Sequence, residues 1–168
     1  MTRSTAKSIL PRVLTLAGTF TLSLVMVSGL PSVKEQRQRS LAQAALDGNV
    51  HRLQMLRFWG ADVNGRGYCF APLFLAAGQG RVNAVRYLLD HGADVNVREK
   101  FGRTPLMEAA YSGYPEVIKE LLFRGADINV IGTDGTALDI GINRNNSAVV
   151  ELLKHYGGRR ACELGKCV

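Results

Sequence analysis

The sequence predicts an all-α fold, a solenoid of about four helix-turn-helix repeats joined by short β-hairpin-like loops. Three observations predict it. A five-residue motif recurs at a nearly constant spacing. A Pro-Leu pair that can start a helix lies 20 residues before each of the two later copies, and the residues between pair and motif follow helical periodicity. A single helix pair of this kind cannot bury its apolar face, whereas stacked pairs bury a continuous core.

Residues 1–29 are the first element, a predicted signal peptide. Three basic residues precede an uncharged apolar run over residues 13–27, which is the layout of a secretory signal. Gly29 has the small side chain that a cleavage site requires. The alternative is an uncleaved anchor over residues 13–33, because about 20 apolar residues span a bilayer. Residues 30–36 follow as a predicted linker.

Residues 37–158 are predicted to form the repeats. The motif Gly-Ala-Asp, followed by Val or Ile and then Asn, begins at spacings of 32 and 33 residues at Gly60, Gly92 and Gly125. Pro72 and Pro105 each precede the next motif by 20 residues. The same offset places the start of a first repeat at Ser40 and the end of a fourth at Gly157. The predicted repeats are 37–64, 65–97, 98–130 and 131–158.

Each repeat is predicted to contain two helices. Thr104 can cap a first helix that Pro105 begins, because proline lacks the N–H that this position leaves unbonded. Alanine pairs such as Ala109 and Ala110 let neighbouring helices approach closely, and Gly113 ends the helix in a tight turn. The second helix has apolar residues at three- and four-residue steps. In the third repeat these are Val117, Ile118, Leu121 and Leu122.

These residues resemble the ankyrin-repeat family. The best copy of the family pattern runs Gly102-Arg103-Thr104-Pro105-Leu106-Met107-Glu108-Ala109-Ala110 and continues to Asn129. The resemblance covers roughly residues 36–158. It implies a protein-binding scaffold that contacts its partner through the loop tips between repeats and the concave face of the first helices. An ankyrin stack behind a secretion signal further indicates an exported and bacterial protein.

The resemblance places the predicted partner-binding residues on the loop tips and first helices. They are Arg66, Tyr68, Phe70, Phe74, Arg98, Lys100, Phe101, Arg103 and Met107. Aromatic and arginine side chains together are typical of interface hot spots. Phe74 and Met107 are included because they follow Pro-Leu at a helix position that varies in the family. The alternative is that the aromatic rings fold back onto neighbouring loops and the basic groups are merely solvated.

The net charge of +7 does not indicate a nucleic-acid partner. Three of the 21 Lys and Arg residues belong to the leader, which leaves 18 against 14 Asp and Glu. The remaining chain has no long basic run and no RNA-binding signature. The predicted partners are therefore one or more proteins bound by a monomer, and a membrane only if the leader is retained.

Residues 159–168 are predicted to be a mobile C-terminal tail. Export into an oxidising compartment favours a disulfide between Cys162 and Cys167, and the alternative is two idle thiols. Two cysteines do not complete a four-ligand zinc site, so no metal is predicted. His91 and His155 lie at the ends of second helices, where a cation complements the helix dipole. Without a catalytic motif, neither an enzyme nor a cofactor is predicted.

The predicted function is that of a non-enzymatic protein-binding scaffold in the periplasm or outside the cell. One alternative is a membrane-anchored assembly or structural factor that keeps residues 13–33 in the bilayer. A second alternative is a secreted effector that acts on host proteins. The mass of the mature chain separates the first two, because loss of residues up to Gly29 excludes an anchor.

Overall fold

The computed structural model describes residues 32–166. Over this range the chain forms eight α-helices and two short 3₁₀ turns, and it contains no β-strand. None of the described helices is long and apolar enough to span a bilayer. The predicted signal or anchor and Cys167 lie outside the described residues. The all-α prediction is confirmed.

The eight helices form four consecutive pairs. They are α1 (Val33–Asp47), α2 (Val50–Phe58), α3 (Pro72–Gly78), α4 (Val82–Asp90), α5 (Pro105–Ser112), α6 (Pro115–Phe123), α7 (Ala137–Asn143) and α8 (Ser147–His155). The 3₁₀ turns are Lys100–Gly102 and Cys162–Leu164. The odd-numbered helices are the first helices of their repeats, and the even-numbered helices are the second.

Threonine caps fix where two of the first helices begin. The Thr104 hydroxyl accepts a hydrogen bond from the Met107 N–H at the start of α5. Thr136 accepts one from the Asp139 N–H, and the Asp139 carboxylate bonds back to the Thr136 N–H, which completes a capping box. The N–H groups that a helix leaves without an internal partner are thereby satisfied.

The helices pack in two layers. Among the first helices, α3 packs on α5 and α5 on α7, while the second helices pack in the order α2, α4, α6 and α8. Alanine pairs of the first helices are fully buried, which allows these helices to approach closely. One leucine of each second helix is also fully buried, namely Leu53, Leu88, Leu121 and Leu153. The result is a continuous apolar core shared by all four repeats.

The asparagine of each motif connects one repeat to the next, and we call these contacts the asparagine ladder. Asn64 Oδ1 accepts a hydrogen bond of 2.8 Å from the Asp94 N–H, and Asn96 Oδ1 accepts one of 2.8 Å from the Asp127 N–H. Gln38 takes the same role for the first repeat, since its Oε1 accepts from the Asp62 N–H at 3.2 Å. These contacts give a physical reason for the constant spacing of the motif.

The N-terminal boundary differs from the prediction of a linker over residues 30–36. Helix α1 begins at Val33, so residues 33–36 are helical. Their Lys, Glu and Gln side chains favour helix, and no glycine or proline interrupts them. Arg37 Nη1 also donates to the Trp59 carbonyl, which ties this helix to the end of α2. The polar composition that resembled a linker belongs to the exposed side of a terminal repeat.

The C-terminal segment is not the mobile tail that was predicted. The Arg159 N–H donates to Asn129 Oδ1 at 2.9 Å, which adds a last step to the asparagine ladder. The Ala161 N–H donates to Asp139 Oδ2 at 2.7 Å, and Ala161 is buried. The Arg159 N–H takes the place that the aspartate N–H of the motif has in the earlier repeats, and the Ala161 contact holds the segment on the fourth repeat.

Candidate partner-binding surface

The first loop tip, residues 65–70, contains a tight turn with two central residues. Gly67 and Phe70 exchange two backbone hydrogen bonds of 3.1 Å, and between them Tyr68 and Cys69 have φ angles of 54° and 71°. Positive φ at both central residues is the geometry of a type I′ hairpin turn. Such a conformation costs a residue with a side chain about 1–2 kcal/mol. The turn nevertheless presents Tyr68 to solvent, with 55% of its surface exposed.

The second loop tip, residues 98–103, presents another exposed ring from the same unusual conformation. Phe101 has a φ of 64° and is 71% exposed. The buried Glu99 holds this tip against the first one, because its Oε1 accepts from the Ala71 N–H at 2.8 Å. Arg66 Nη1 lies 3.5 Å from Glu99 Oε2. The two tips are therefore fixed relative to each other.

The third loop tip, residues 131–134, continues the row. Gly132 and Gly135 pair their backbones, and the Thr133 N–H donates to the Phe101 carbonyl at 3.0 Å. Arg103 Nε lies 3.0 Å from Asp134 Oδ2. Backbone and ionic contacts thus join the three tips into one continuous edge, which we call the tip edge.

The prediction is wrong for Phe74 and Met107, which are buried with 6% and 1% exposure. Loop residues lie against this helix position at Ala42 and at Phe74. At the equivalent position in α1, a Cβ added to Gly67 would lie 2.6 Å from the Ala42 side chain, so the loop covers Ala42 directly. Phe70 is half-buried and stacks on Phe74, with ring centroids 5.4 Å apart. This ring folds back as the alternative expected, but onto helix α3 and not onto a neighbouring loop.

The predicted cations divide into paired and unpaired groups. Arg66 contacts Glu99 and donates to the Arg98 carbonyl at 3.1 Å, and Arg103 contacts both Glu108 and Asp134. Arg98 and Lys100 are exposed, and within residues 32–166 neither forms an ion pair. The tip edge therefore presents two aromatic rings, Tyr68 and Phe101, beside two uncompensated positive charges.

The structure adds a cleft that sequence analysis did not identify. Helix α5 ends near Tyr111, and the guanidinium carbons of Arg103 and Arg144 lie 4.6 and 4.3 Å from its ring centroid. The cleft has a volume of about 250 Å³, and we call it the Tyr111 cleft. It is lined by Arg103, Tyr111, Asp134, Ile140, Asn143 and Arg144. Tyr111 could have been found as a large ring directly after the alanine pair, where the other repeats have smaller side chains.

Two carboxylates beside the Tyr111 cleft have shifted pKa values. Burial raises the pKa of Glu108, and the positive charge of Arg103 only partly offsets this. Burial alone would raise the pKa of Asp139 as well. Hydrogen bonds from the Ala161 N–H, from Arg160 and from Thr136 outweigh it, so the pKa lies below its usual value. The two pKa values shift in opposite directions because Asp139 accepts hydrogen bonds from three residues, whereas among the described residues Glu108 is stabilised by Arg103 alone.

Exposed aromatic rings also occur at the ends of the second helices, away from the predicted residues. Phe58 and Phe123 are 82% and 83% exposed, and Trp59 packs edge-on against Phe58. In the second repeat the equivalent position is occupied by Asp90 and not by an aromatic residue, and its carboxylate lies 2.7 Å from the Arg124 guanidinium. Their position two residues before a motif glycine is the sequence signal for these phenylalanines.

Histidine, cysteine and acidic side chains are the usual ligands of metal ions in proteins. Within the described part of the chain, no group of three or more His, Cys, Asp or Glu side chains could hold a metal ion. His91 Nδ1 lies 2.7 Å from the Tyr87 carbonyl oxygen, and its ring packs on Tyr87 at a centroid distance of 4.0 Å. This histidine thus has a local structural contact at the end of α4.

The chain is similar to one protein family and to several known proteins. The family model for ankyrin repeats, in three copies, matches residues 41–132. The chain is 42% identical over 84 residues to the "2-5A-dependent ribonuclease" of Mus musculus, which covers 46% of this chain and 11% of the relative. It is 39% identical over 90 residues to "Cortactin-binding protein 2" of Rattus norvegicus, covering 51% and 5%. The chain thus matches only a small part of either relative.

Proposed function

The chain belongs to the ankyrin-repeat family, and on that premise we propose that it is a non-enzymatic scaffold that binds a partner protein in an extracytoplasmic compartment. Ankyrin repeats generally mediate binding between proteins. The observation that carries the proposal is the pair of exposed rings, Tyr68 and Phe101, on adjacent tips of the tip edge. Both are held at positive φ. Residues kept in costly conformations cluster at ligand-binding sites, where surrounding structure maintains them.

The rigidity of the tip edge supports binding. Glu99 connects the first two tips, and the hydrogen bond from Thr133 connects the second and third. Association costs the freedom of every side chain and loop that becomes ordered, so a surface that is already ordered loses less free energy on binding. Large rings displayed on a fixed edge are the arrangement that interface hot spots favour.

The extracytoplasmic part of the proposal is supported by the N-terminal sequence. The basic start and the apolar run over residues 13–27 have the layout of an export signal. The anchored assembly factor and the secreted effector use the same leader and the same repeats. Both relatives above are mammalian proteins, and a bacterial source for this chain stays a prediction.

The absence of catalysis is likewise part of the proposal. Ankyrin repeats typically act as scaffolds without catalytic activity. The word "ribonuclease" names a relative of which this chain matches only 11%. The Tyr111 cleft is smaller than the roughly 300–1,000 Å³ of small-molecule sites, which favours contact with a side chain of a partner over an enclosed substrate.

The experiment is a crosslinked pull-down from native cells with a C-terminally tagged chain. We expect the double variant Tyr68→Ala, Phe101→Ala to lose the partner that the wild-type chain captures, because each ring fills part of the interface. The matched control is Phe58→Ala, Phe123→Ala, which removes two exposed rings from the second helices instead. Circular dichroism confirms that both variants fold.

The outcome of the pull-down decides between surfaces. Capture that survives in the tip variant but disappears in the control would assign binding to the second helices and contradict the tip edge. The N-terminal sequence of the recovered bait tests the compartment. A bait that begins near Leu30 supports export with cleavage, whereas a bait that retains residues 13–29 supports the anchored assembly factor.

A further inference from the structure

We infer that the Tyr111 cleft is a receptor for a carboxylate side chain of the partner protein, and that Arg144 is the residue that binds it. The inference rests on the proposed function and specifies the chemistry of the partner. Arg103 belongs both to the second loop tip and to the cleft lining, so the cleft begins where the tip edge ends. A partner on the tip edge therefore reaches the cleft without a second, separate surface.

Arg144 has the geometry of an anion receptor. Its guanidinium carbon lies 4.3 Å from the centroid of the Tyr111 ring, and this contact between a cation and an aromatic face orients the guanidinium. A guanidinium lying over a ring keeps N–H groups at its edge, in the forked arrangement that matches a carboxylate. Arg144 is exposed, and within residues 32–166 no carboxylate forms an ion pair with it. Its charge is thus available to a partner.

Arg103 has a different role in the cleft. It lies 3.1 Å from Glu108 and 3.0 Å from Asp134, so carboxylates of the chain itself already neutralise it. Its guanidinium carbon is 4.6 Å from the Tyr111 centroid. Arg103 therefore positions the ring and pairs with the carboxylates of Glu108 and Asp134. Among the described residues, Arg144 is the arginine of the cleft that has no carboxylate partner.

The size and lining of the cleft fit a side chain. Its volume is about 250 Å³, which is below the roughly 300–1,000 Å³ of sites for small molecules. Ile140 and the Tyr111 ring provide apolar walls for the methylene groups of a glutamate or aspartate. Arg98 and Lys100 on the tip edge add positive charge, so an acidic segment of the partner is complementary to the whole surface.

The test is an NMR titration of the full chain that observes the Nε–Hε groups of arginine. The probe is the peptide acetyl-Leu-Glu-Leu-Glu-Leu-amide, and its matched control replaces both Glu residues with Gln. We expect the Arg144 signal to shift and reach saturation as the Glu peptide is added. The same shift should need an at least about tenfold higher concentration of the Gln peptide, because a charged acceptor strengthens the hydrogen bonds. Equal responses to the two peptides would overturn the inference.

Variants identify the residue responsible. Arg144→Gln is expected to abolish saturable binding of the Glu peptide, and Arg144→Lys to weaken it about tenfold, because lysine keeps the charge but not the planar fork. Arg52→Gln is the control, since it removes the same charge from the exposed side of α2. Equal loss of binding in both glutamine variants would reduce the effect to net charge, and loss in the Arg52 variant alone would place the binding at Arg52. Either result would overturn the inference.

A phosphoserine version of the peptide distinguishes another class of ligand. If the phosphoserine peptide saturates the Arg144 signal at a concentration at least about tenfold lower than the Glu peptide does, the cleft is a phosphate receptor and the carboxylate assignment is wrong. Failure here is separate from failure of the proposed function. If the partner is still captured through Tyr68 and Phe101 but the Arg144 signal does not respond to the Glu peptide, the proposed scaffold function stands and only the role of the cleft is wrong.

Discussion

At the scale of single residues, Asp139 shows how a buried charge is stabilised. Its Oδ2 accepts from the Thr136 hydroxyl at 3.1 Å and from the Ala161 N–H at 2.7 Å, and its Oδ1 accepts from Arg160 Nε at 2.9 Å. These donors favour the ionised form and lower the pKa despite burial. The ionised carboxylate therefore stabilises the folded chain at pH values above the usual pKa of 3.8, and this contribution is lost as the pH falls through the lowered pKa.

We expect Asp139→Asn to lower the free energy of unfolding by about 1–3 kcal/mol at pH 7, because an amide group cannot accept all of these hydrogen bonds. Urea denaturation measures the loss. The difference from wild type should shrink below pH 3.8, where the native carboxylate also becomes neutral. Asp134→Asn is the control, since its exposed pair with Arg103 contributes less than about 1 kcal/mol. A similar loss in both variants contradicts the role given to Asp139.

At the scale of elements, the turn that ends α3 is shaped by the repeat that follows. Gly80 has a φ of +67°, and a Cβ added there would lie 2.7 Å from the Tyr114 ring, at the N-terminal end of α6. Gly92 ends α4 with a φ of +85°, and nothing lies within 4 Å of an added Cβ. The two positions share the backbone requirement and differ only in the neighbouring ring.

We expect Gly92→Ala to cost about 1–2 kcal/mol of folding free energy from the backbone conformation alone. Gly80→Ala should cost about 1–3 kcal/mol more, because the added methyl group displaces Tyr114. Thermal and urea denaturation of the two variants measure this difference. Equal losses would mean that Tyr114 moves aside without cost, and that the contact does not constrain the turn.

The helices themselves were predictable from sequence, whereas some of their contacts were not. The positions of the first helices are predicted by Thr104, Pro105 and the alanine pairs, because capping and close packing depend on a few neighbouring residues. The burial of Phe74 and Met107 depends on how the loops and neighbouring helices pack against their helices, which the local pattern does not contain. The Tyr111 cleft requires Arg103 and Arg144 from two different repeats. Only their spatial arrangement brings these side chains together.

At the scale of the whole repeat stack, the segment after α8 replaces a missing neighbour. Arg159 bonds to Asn129 at the end of the third repeat, and Arg160 and Ala161 bond to Asp139 of the fourth. In a stack, each repeat is stabilised mainly by the repeats that it touches. Stability at the C-terminal end therefore depends on a segment outside the periodic pattern, which is why the pattern predicted a mobile tail.

We expect deletion of residues 159–168 to destabilise the fourth repeat selectively. Hydrogen exchange should accelerate in α7 and α8, while α3 and α4 keep their protection, because the lost contacts reach only the fourth repeat and Asn129 at the end of the third. Mass spectrometry of exchanged peptides measures this gradient. A control that replaces only residues 165–168 with glycine and serine should keep the protection. Uniform acceleration in all four repeats would show that the segment stabilises the chain as a whole.

The asparagine ladder also bears on how the protein behaves at high concentration. Asn129 of the third repeat has the same amide with which Asn64 and Asn96 hold their successors. The first repeat has the Asp62 N–H, which is the kind of group that such an amide binds. Complementary ends that do not close on themselves generate open filaments. Gln38 occupies one end and Arg159 the other. Both groups are thereby already bonded within the chain, so neither is available to a second copy.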